Sequence, residues 1–174
     1  MKRILLLSDT HGFLDDAILK HAREADEIWH AGDWGGGMKV SDTLAALKPL
    51  RGVYGNIDDA TLRMVHPEQL VFHTEGLKVL MLHIGGYPGH YPGGVRKILD
   101  AERPDVFVCG HSHILRVMRD QERRIWCLNP GAAGISGFHH TRTMLRFCLD
   151  RGKLLEPAVI ELGPRASAAS GDYL

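Results

Sequence analysis

The chain has 174 residues, with 21 basic and 21 acidic side chains and a formal net charge of zero. That length suits one domain able to bury a core without help from disulfides or a structural metal. The balanced charge excludes a general electrostatic pull toward nucleic acid or acidic membranes.

The first element is a strand, Arg3–Leu7, whose apolar run stops at Ser8-Asp9-Thr10-His11. Basic residues ahead of it imitate a secretory leader, but the apolar stretch is too short for one. No run approaches the roughly 18 apolar residues of a membrane span, so no membrane partner is expected. Leu14, Ala17, Ile18, His21, Ala22 and Ala25 follow helical spacing and predict an amphipathic helix over 13–25. Glu27–Ala31 is a second strand, ending at Gly32-Asp33. A triple glycine, Gly35 to Gly37, then loops into a helix capped by Ser41 or Asp42 and stopped before Pro49.

A third strand, around Gly52–Tyr54, ends at Gly55-Asn56. After a short connection, Gln69–His73 and Leu77–His83 form a hairpin about the turn Thr74-Glu75-Gly76. A glycine-rich loop, 84–94, leads to a helix marked by Val95, Ile98 and Leu99 and ended by Pro104. Asp105–Cys109 is a strand stopping at Gly110-His111-Ser112-His113. The rest, Leu115–Met118, Arg124–Leu128, Thr143–Leu149 and Leu154–Ile160, reads as strands joined by turns. This is one α/β domain with two sheets over residues 1–162, followed by a small polar tail, 163–174. The three cysteines, Cys109, Cys127 and Cys148, are odd in number and lack Cys-x-x-Cys spacing. The first and second lie in apolar runs, where cysteine acts as a small buried hydrophobe. A reducing, cytoplasmic setting is the expectation.

Five strand ends carry residues of metal-ligand type: Asp9 with His11, Asp33, Asn56, His83, and His111 with His113. In α/β folds ligands collect beyond the carboxyl ends of strands, above a rigid platform. Imidazole, carboxylate and amide oxygen without thiolate suit Mn, Fe, Ni, Co or Zn rather than Ca or a sulfur-bound centre. Seven ligands are too many for one tetrahedral ion and suit two, with a bridging carboxylate holding them roughly 3.5–4 Å apart.

The ordered blocks D-x-H (Asp9–His11), G-D (Gly32-Asp33), G-N-x-D (Gly55–Asp58), His83 and G-H-x-H (Gly110–His113) resemble the calcineurin-like metallophosphoesterase family. The resemblance runs to about residue 150, and Asn129-Pro130-Gly131 matches a further block. It implies a two-sheet α/β/β/α sandwich and two divalent transition-metal ions, Mn2+ first among them. By resemblance Asp9, His11 and His113 bind one ion, Asn56, His83 and His111 the other, and Asp33 bridges. A hydroxide shared by the ions would attack the phosphorus of a small phosphate ester, with Asn56 also holding a phosphate oxygen. The catalytic set is thus Asp33, Asn56 and His83.

One departure stands out. Many members read G-N-H-D, with a histidine placed to protonate the leaving group, and here that position is Ile57. General acid catalysis is worth about 10²–10⁴ in rate. Its loss points to a phosphodiesterase, as in the similar YfcE-like subgroup, unless His90, His139 or His140 supplies the proton. The alternative is a protein-interaction scaffold similar to the retromer subunit Vps29. Asp58 is expected either to orient His11 or His83, or simply to cap a helix. Trp34 either lines the site or packs, and His21, His30 and His73 read as surface or satisfied core residues. The C-terminal strand edge offers a place for a second copy to pair.

Overall fold

The computed structural model describes residues 1–165. Two five-stranded sheets pack face to face, with helices on both outer sides. The first has the order β10-β9-β1-β2-β3, where β1 is Lys2–Leu7, β2 Glu27–His30, β3 Leu50–Gly52, β9 Thr141–Asp150 and β10 Lys153–Pro164. The second has the order β4-β5-β6-β8-β7, with β4 Gln69–Thr74, β5 Leu77–Leu82, β6 Val106–Val108, β7 Leu115–Asp120 and β8 Ile125–Pro130. Strands β1, β2 and β3 run parallel, as do β5, β6 and β8; β9 joins β1 antiparallel and β10 joins β9 so, and in the second sheet β4 and β7 join β5 and β8 antiparallel.

The unbroken apolar run of β1 follows from burial on both faces, since successive side chains point opposite ways. Ile4 and Leu6 face the second sheet and meet Trp29, Val79, Val106 and Phe147. Leu5 and Leu7 face α1 (Asp16–Glu24) and α2 (Lys39–Leu47), meeting Ile18, Ala22 and Leu44. Helix α4 (Gly93–Glu102) covers the other sheet through Val95 and Leu99 against Leu80 and Phe107. The architecture is the expected α/β/β/α sandwich. Cys109 and Cys127 are buried in it, and burial pushes their thiols up to about 12 and about 11.

Local details differ from the sequence reading. Helix α1 starts at Asp16, because the Asp15 carboxylate caps it by accepting the Ile18 N–H at 3.0 Å. Helix α2 starts two residues before Ser41, and neither Ser41 nor Asp42 caps it; the Ser41 hydroxyl instead meets His66 Nε2 at 2.8 Å. Strand β3 ends at Gly52, and a short helix α3 (Ala60–Val65), capped by Asp59, occupies what reads as a plain connection. Strand β10 pairs through Gly163 and Pro164, into the stretch set aside as a tail. Residues 166–174 of that tail lie outside the described residues.

Candidate metal centre

All five ligand-bearing segments leave the carboxyl ends of parallel strands: Asp9 and His11 after β1, Asp33 after β2, Asn56 after β3, His83 after β5, His111 and His113 after β6. The structure brings the seven together. Ligand atoms of Asp9, His11 and His113 lie within 4.8 Å of one another, and so do those of Asp33, His83 and His111. Asp33 Oδ2 stands between the groups, 3.3 Å from His83 Nε2 and 3.6 Å from His11 Nε2. Asn56 Oδ1 is 3.1 Å from His83 Nε2. Asp9, Asp33 and His83 are buried, while Asn56 and His111 are exposed, so the cluster opens on that side.

The backbone is bent to serve this convergence. Asp9, His11, Asp33, His111 and His113 all have φ between 46° and 66°, the left-handed region. Each such turn costs a non-glycine residue on the order of 1 kcal/mol, and strain of this kind gathers at functional sites. Main-chain bonds pin the turns: Asp9 N–H donates to Gly32 O at 3.0 Å and His11 N–H to Asp33 O at 3.1 Å. The motif glycines are there for close approach. A Cβ on Gly55 would collide with the Asp33 carboxylate, and one on Gly110 with Ser8 and Asp9.

Proton positions follow from the partners. His83 Nδ1–H donates to Ala31 O at 2.7 Å, leaving the Nε2 lone pair aimed at Asp33 and Asn56. Asp9 Oδ2 accepts from the Ser8 hydroxyl at 2.6 Å and from His111 N–H at 3.1 Å. Its Oδ1, like His11 Nε2, is buried with no hydrogen-bond partner. Unpartnered carboxylate oxygen and imidazole nitrogen facing one space fit a divalent cation, which accepts lone pairs from both.

The electrostatics agree. Burial pushes the Asp9 carboxyl up, but the surrounding His11, His113 and His83, in their protonated forms, and the Ser8 hydroxyl outweigh it and hold it below the usual range. Asp33 is likewise lowered, burial being outweighed by His83 and the Ile57 N–H. The Asp9 carboxylate raises His11, and Asp33 raises His83 against its burial. Negative charge at the cluster calls for cations.

A layer beneath the site escaped the sequence reading. His30 Nδ1 accepts the Gly32 N–H at 3.2 Å, so its Nε2–H donates to Thr10 Oγ1 at 3.0 Å, and that hydroxyl donates to Trp34 O at 2.9 Å. Burial holds His30 well below the usual imidazole range, hence neutral. Trp34 packs rather than lining the site, stacked on His30 at 3.7 Å and on His66 at 4.2 Å. Asp58 does not orient a histidine. Its carboxylate accepts Gly35 N–H at 3.0 Å and Gly55 N–H at 2.7 Å, lacing two ligand loops together. Asn129 braces the His111 loop by donating from Nδ2 to Gly110 O at 2.9 Å, a role that the match of the Asn-Pro-Gly block did not specify.

Of the loop histidines, His139 has both nitrogens engaged, with Gly134 O at 2.9 Å and His113 Nδ1 at 3.2 Å, while His90 and His140 are exposed. A cavity of about 290 Å³ adjoins the cluster, lined by Tyr54, Asn56, Arg63, Glu68, His83 and Ile84 among others. A larger one of about 430 Å³, by Arg3, His21 and Arg146, touches none of the seven residues.

Fold and cluster together define a two-sheet protein with a histidine–carboxylate cluster suited to divalent metal ions. The chain belongs to the calcineurin-like phosphoesterase superfamily, whose domain model matches residues 1–152, and membership implies divalent metal ions. It is 29% identical over 163 residues to a probable metallophosphoesterase of Mycoplasma pneumoniae, covering 88% of this chain and 94% of that one. Two solved structures share the fold. A Vps29 single mutant from Entamoeba histolytica superposes with TM-score 0.74 at 14% identity, over 92% of this chain and 99% of the other. A novel archaeal phosphodiesterase does so with TM-score 0.63 at 19% identity, over 92% and 99%. No helix among the described residues is long and apolar enough to cross a membrane.

Proposed function

We propose that the protein is a two-metal-dependent phosphodiesterase acting on a small phosphate ester. The observation that carries this reading is the pair of ligand groups meeting at Asp33, with Asp9 Oδ1 and His11 Nε2 of the first group buried and unpartnered. Asp9, His11 and His113 would hold one ion, Asn56, His83 and His111 the other, and Asp33 would reach both. Bound divalent ions supply water activation and neutralise charge on the phosphoryl oxygens; Mn2+ is the first choice among Mn, Fe, Ni, Co and Zn.

The chain's own residues do the positioning. Asn56, on the exposed side, presents its amide toward an incoming phosphoryl oxygen. The adjoining cavity receives one ester substituent, and its lining offers both a cation, Arg63, laid over the Tyr54 ring at 4.6 Å, and an acid, Glu68. Ile57 brings no proton to the leaving oxygen, and His139 has none free to give. Esters that leave without strong protonation are therefore favoured, which supports diesters over alkyl monoesters.

A second reading is favoured by one observation. Ile57, Ile84, Ile114 and Phe138 are 47%, 47%, 53% and 99% exposed, and each neighbours a residue of the site or its surround in sequence. Such a rim suits a protein partner, as in a scaffold of the Vps29 kind. Hydrolysis of bis-(p-nitrophenyl) phosphate separates the two. The enzyme reading expects turnover that requires Mn2+ and collapses in Asp33→Asn and His83→Ala. No metal-dependent turnover, or turnover indifferent to both changes, would overturn it. Faster cleavage of simple alkyl monoesters would overturn the diester preference alone.

A further inference from the structure

We propose that His139 is a positioning residue that fixes the tautomer and ring orientation of His113, with Arg165 holding it in place. The inference rests on reading His113 as a metal ligand.

The proton bookkeeping starts at a carbonyl. Gly134 O can only accept, so the bond of 2.9 Å from His139 Nε2 places a proton on that nitrogen. Neutral His139 then has a lone pair on Nδ1, which lies 3.2 Å from His113 Nδ1. His113 must donate from Nδ1, and its Nε2 is left as a bare lone pair. That nitrogen is the one turned inward, 3.2 Å from Asp9 Oδ1. An imidazole can ligate only through an unprotonated nitrogen, and free imidazole side chains in water favour the proton on Nε2. A partner that accepts from Nδ1 reverses this preference before any ion arrives.

His83 obtains the same outcome from a main-chain carbonyl, Ala31 O at 2.7 Å. His113 has no strand at that position and takes its acceptor from the loop between β8 and β9. The loop is built for the task. Gly134 N–H donates to Asp9 O at 3.1 Å, tying it to the ligand turn after β1. Arg165, at the end of β10, donates from Nε to His139 O at 3.0 Å and from Nη1 to Ile135 O at 3.3 Å. Gly137, with φ 128°, lets the two rings meet, since a Cβ there would collide with the His113 ring. A loop serving only as a surface connection has no need of this set of contacts.

The test is made first on the metal-free protein. Long-range ¹H–¹⁵N correlation of the imidazole rings should find the His113 proton on Nδ1 in the wild type. His139→Ala should move it toward Nε2, and His139→Asn, whose amide oxygen accepts from the same place, should restore Nδ1. In Mn2+ titrations, affinity at one of two sites should fall about 10–100-fold in His139→Ala and recover in His139→Asn, the other site holding. A wild-type His113 protonated on Nε2, which needs no variant to observe, would overturn the proposal. So would a folded His139→Ala with unchanged tautomer and Mn2+ affinity. The tautomer is read without substrate, so absence of hydrolysis would sink the phosphodiesterase reading and leave this one standing.

Discussion

Gly55→Ala is the smallest change that tests whether the ligand loops are packed to metal-site tolerance. The added methyl would sit 2.7 Å from Asp33 Cγ and closer still to the Oδ1 atom and the main-chain nitrogen. Reaching ordinary contact of about 3.4 Å requires a displacement of at least ~0.7 Å, several times the ~0.2 Å latitude of a metal–ligand distance. The carboxylate has nowhere free to go. Its Oδ1 accepts the Ile57 N–H at 3.1 Å and its Oδ2 lies 3.3 Å from His83 Nε2. Overpacking of this kind costs about 1–3 kcal/mol, and a misplacement near 1 Å can cost ~10²-fold in turnover. Urea denaturation should report that loss with an unchanged slope, while Mn2+ titration and diester hydrolysis should fall together. If Gly55→Ala bound two Mn2+ ions and turned over as the wild type does, the close-packing account of the motif glycine would be wrong.

Three further outcomes are expected. Glu27 is buried and accepts from Trp29 at 2.8 Å, Lys2 at 3.0 Å and Arg51 at 2.6 Å; burial raises its carboxyl, but these donors prevail and leave it below the ordinary 4.5. Its contribution is thus complete above pH 4.5 and lost as pH falls through the lowered native value, so Glu27→Gln should cost about 1–3 kcal/mol near neutrality. The gap to wild type should close in acid, as measured by denaturation across pH; a constant gap would refute the assignment. Trp34→Phe removes the indole N–H that donates to Val53 O at 2.8 Å and should lower stability by about 1–3 kcal/mol in a thermal melt. Gly94→Ala lies inside α4 with nothing within 4 Å of the new methyl, so it should raise stability by about 0.5 kcal/mol without altering Mn2+ binding.

What could be read from the residues, and what could not, divides by range. The seven candidate ligands were legible because each strand end had to carry a residue of ligand type, and composition at those points is conspicuous. Two sheets in one α/β domain could be read from apolar runs such as Arg3–Leu7, whose double-sided burial leaves no alternation, while the sandwich layering came only with the family resemblance. Helix α3 was not legible, since its six residues bury only Leu62 and show no periodicity. The cap of α2 was misread because Ser41 serves His66, 25 positions away. Asp58 was misread for the same reason: its partner Gly35 is 23 positions distant. His139 read as one of three loop histidines able to supply a proton, and its partner His113 lies on a different loop, 26 positions back. Side chains whose meaning is a long-range hydrogen bond carry no local signature.

The strain in the ligand turns and the lattice beneath them belong to one design. Left-handed backbone at five non-glycine residues, each costing on the order of 1 kcal/mol, would relax if the loops were free. They are not free. His30, Thr10 and the Trp34 carbonyl join the turns after β1 and β2, Asp58 joins that of β2 to that of β3, and Asn129 braces the turn after β6. Each brace is buried, and the Asp58 carboxylate is taken up by the N–H groups of Gly35 and Gly55. The only buried side-chain atoms of the cluster left without a partner among the described residues are Asp9 Oδ1 and His11 Nε2. Elsewhere such atoms would be a defect costing about 1–3 kcal/mol apiece. In the proposed centre they are the two places where a cation would supply what protein donors and acceptors withhold, and the bracing and the unpartnered atoms occur within the same cluster.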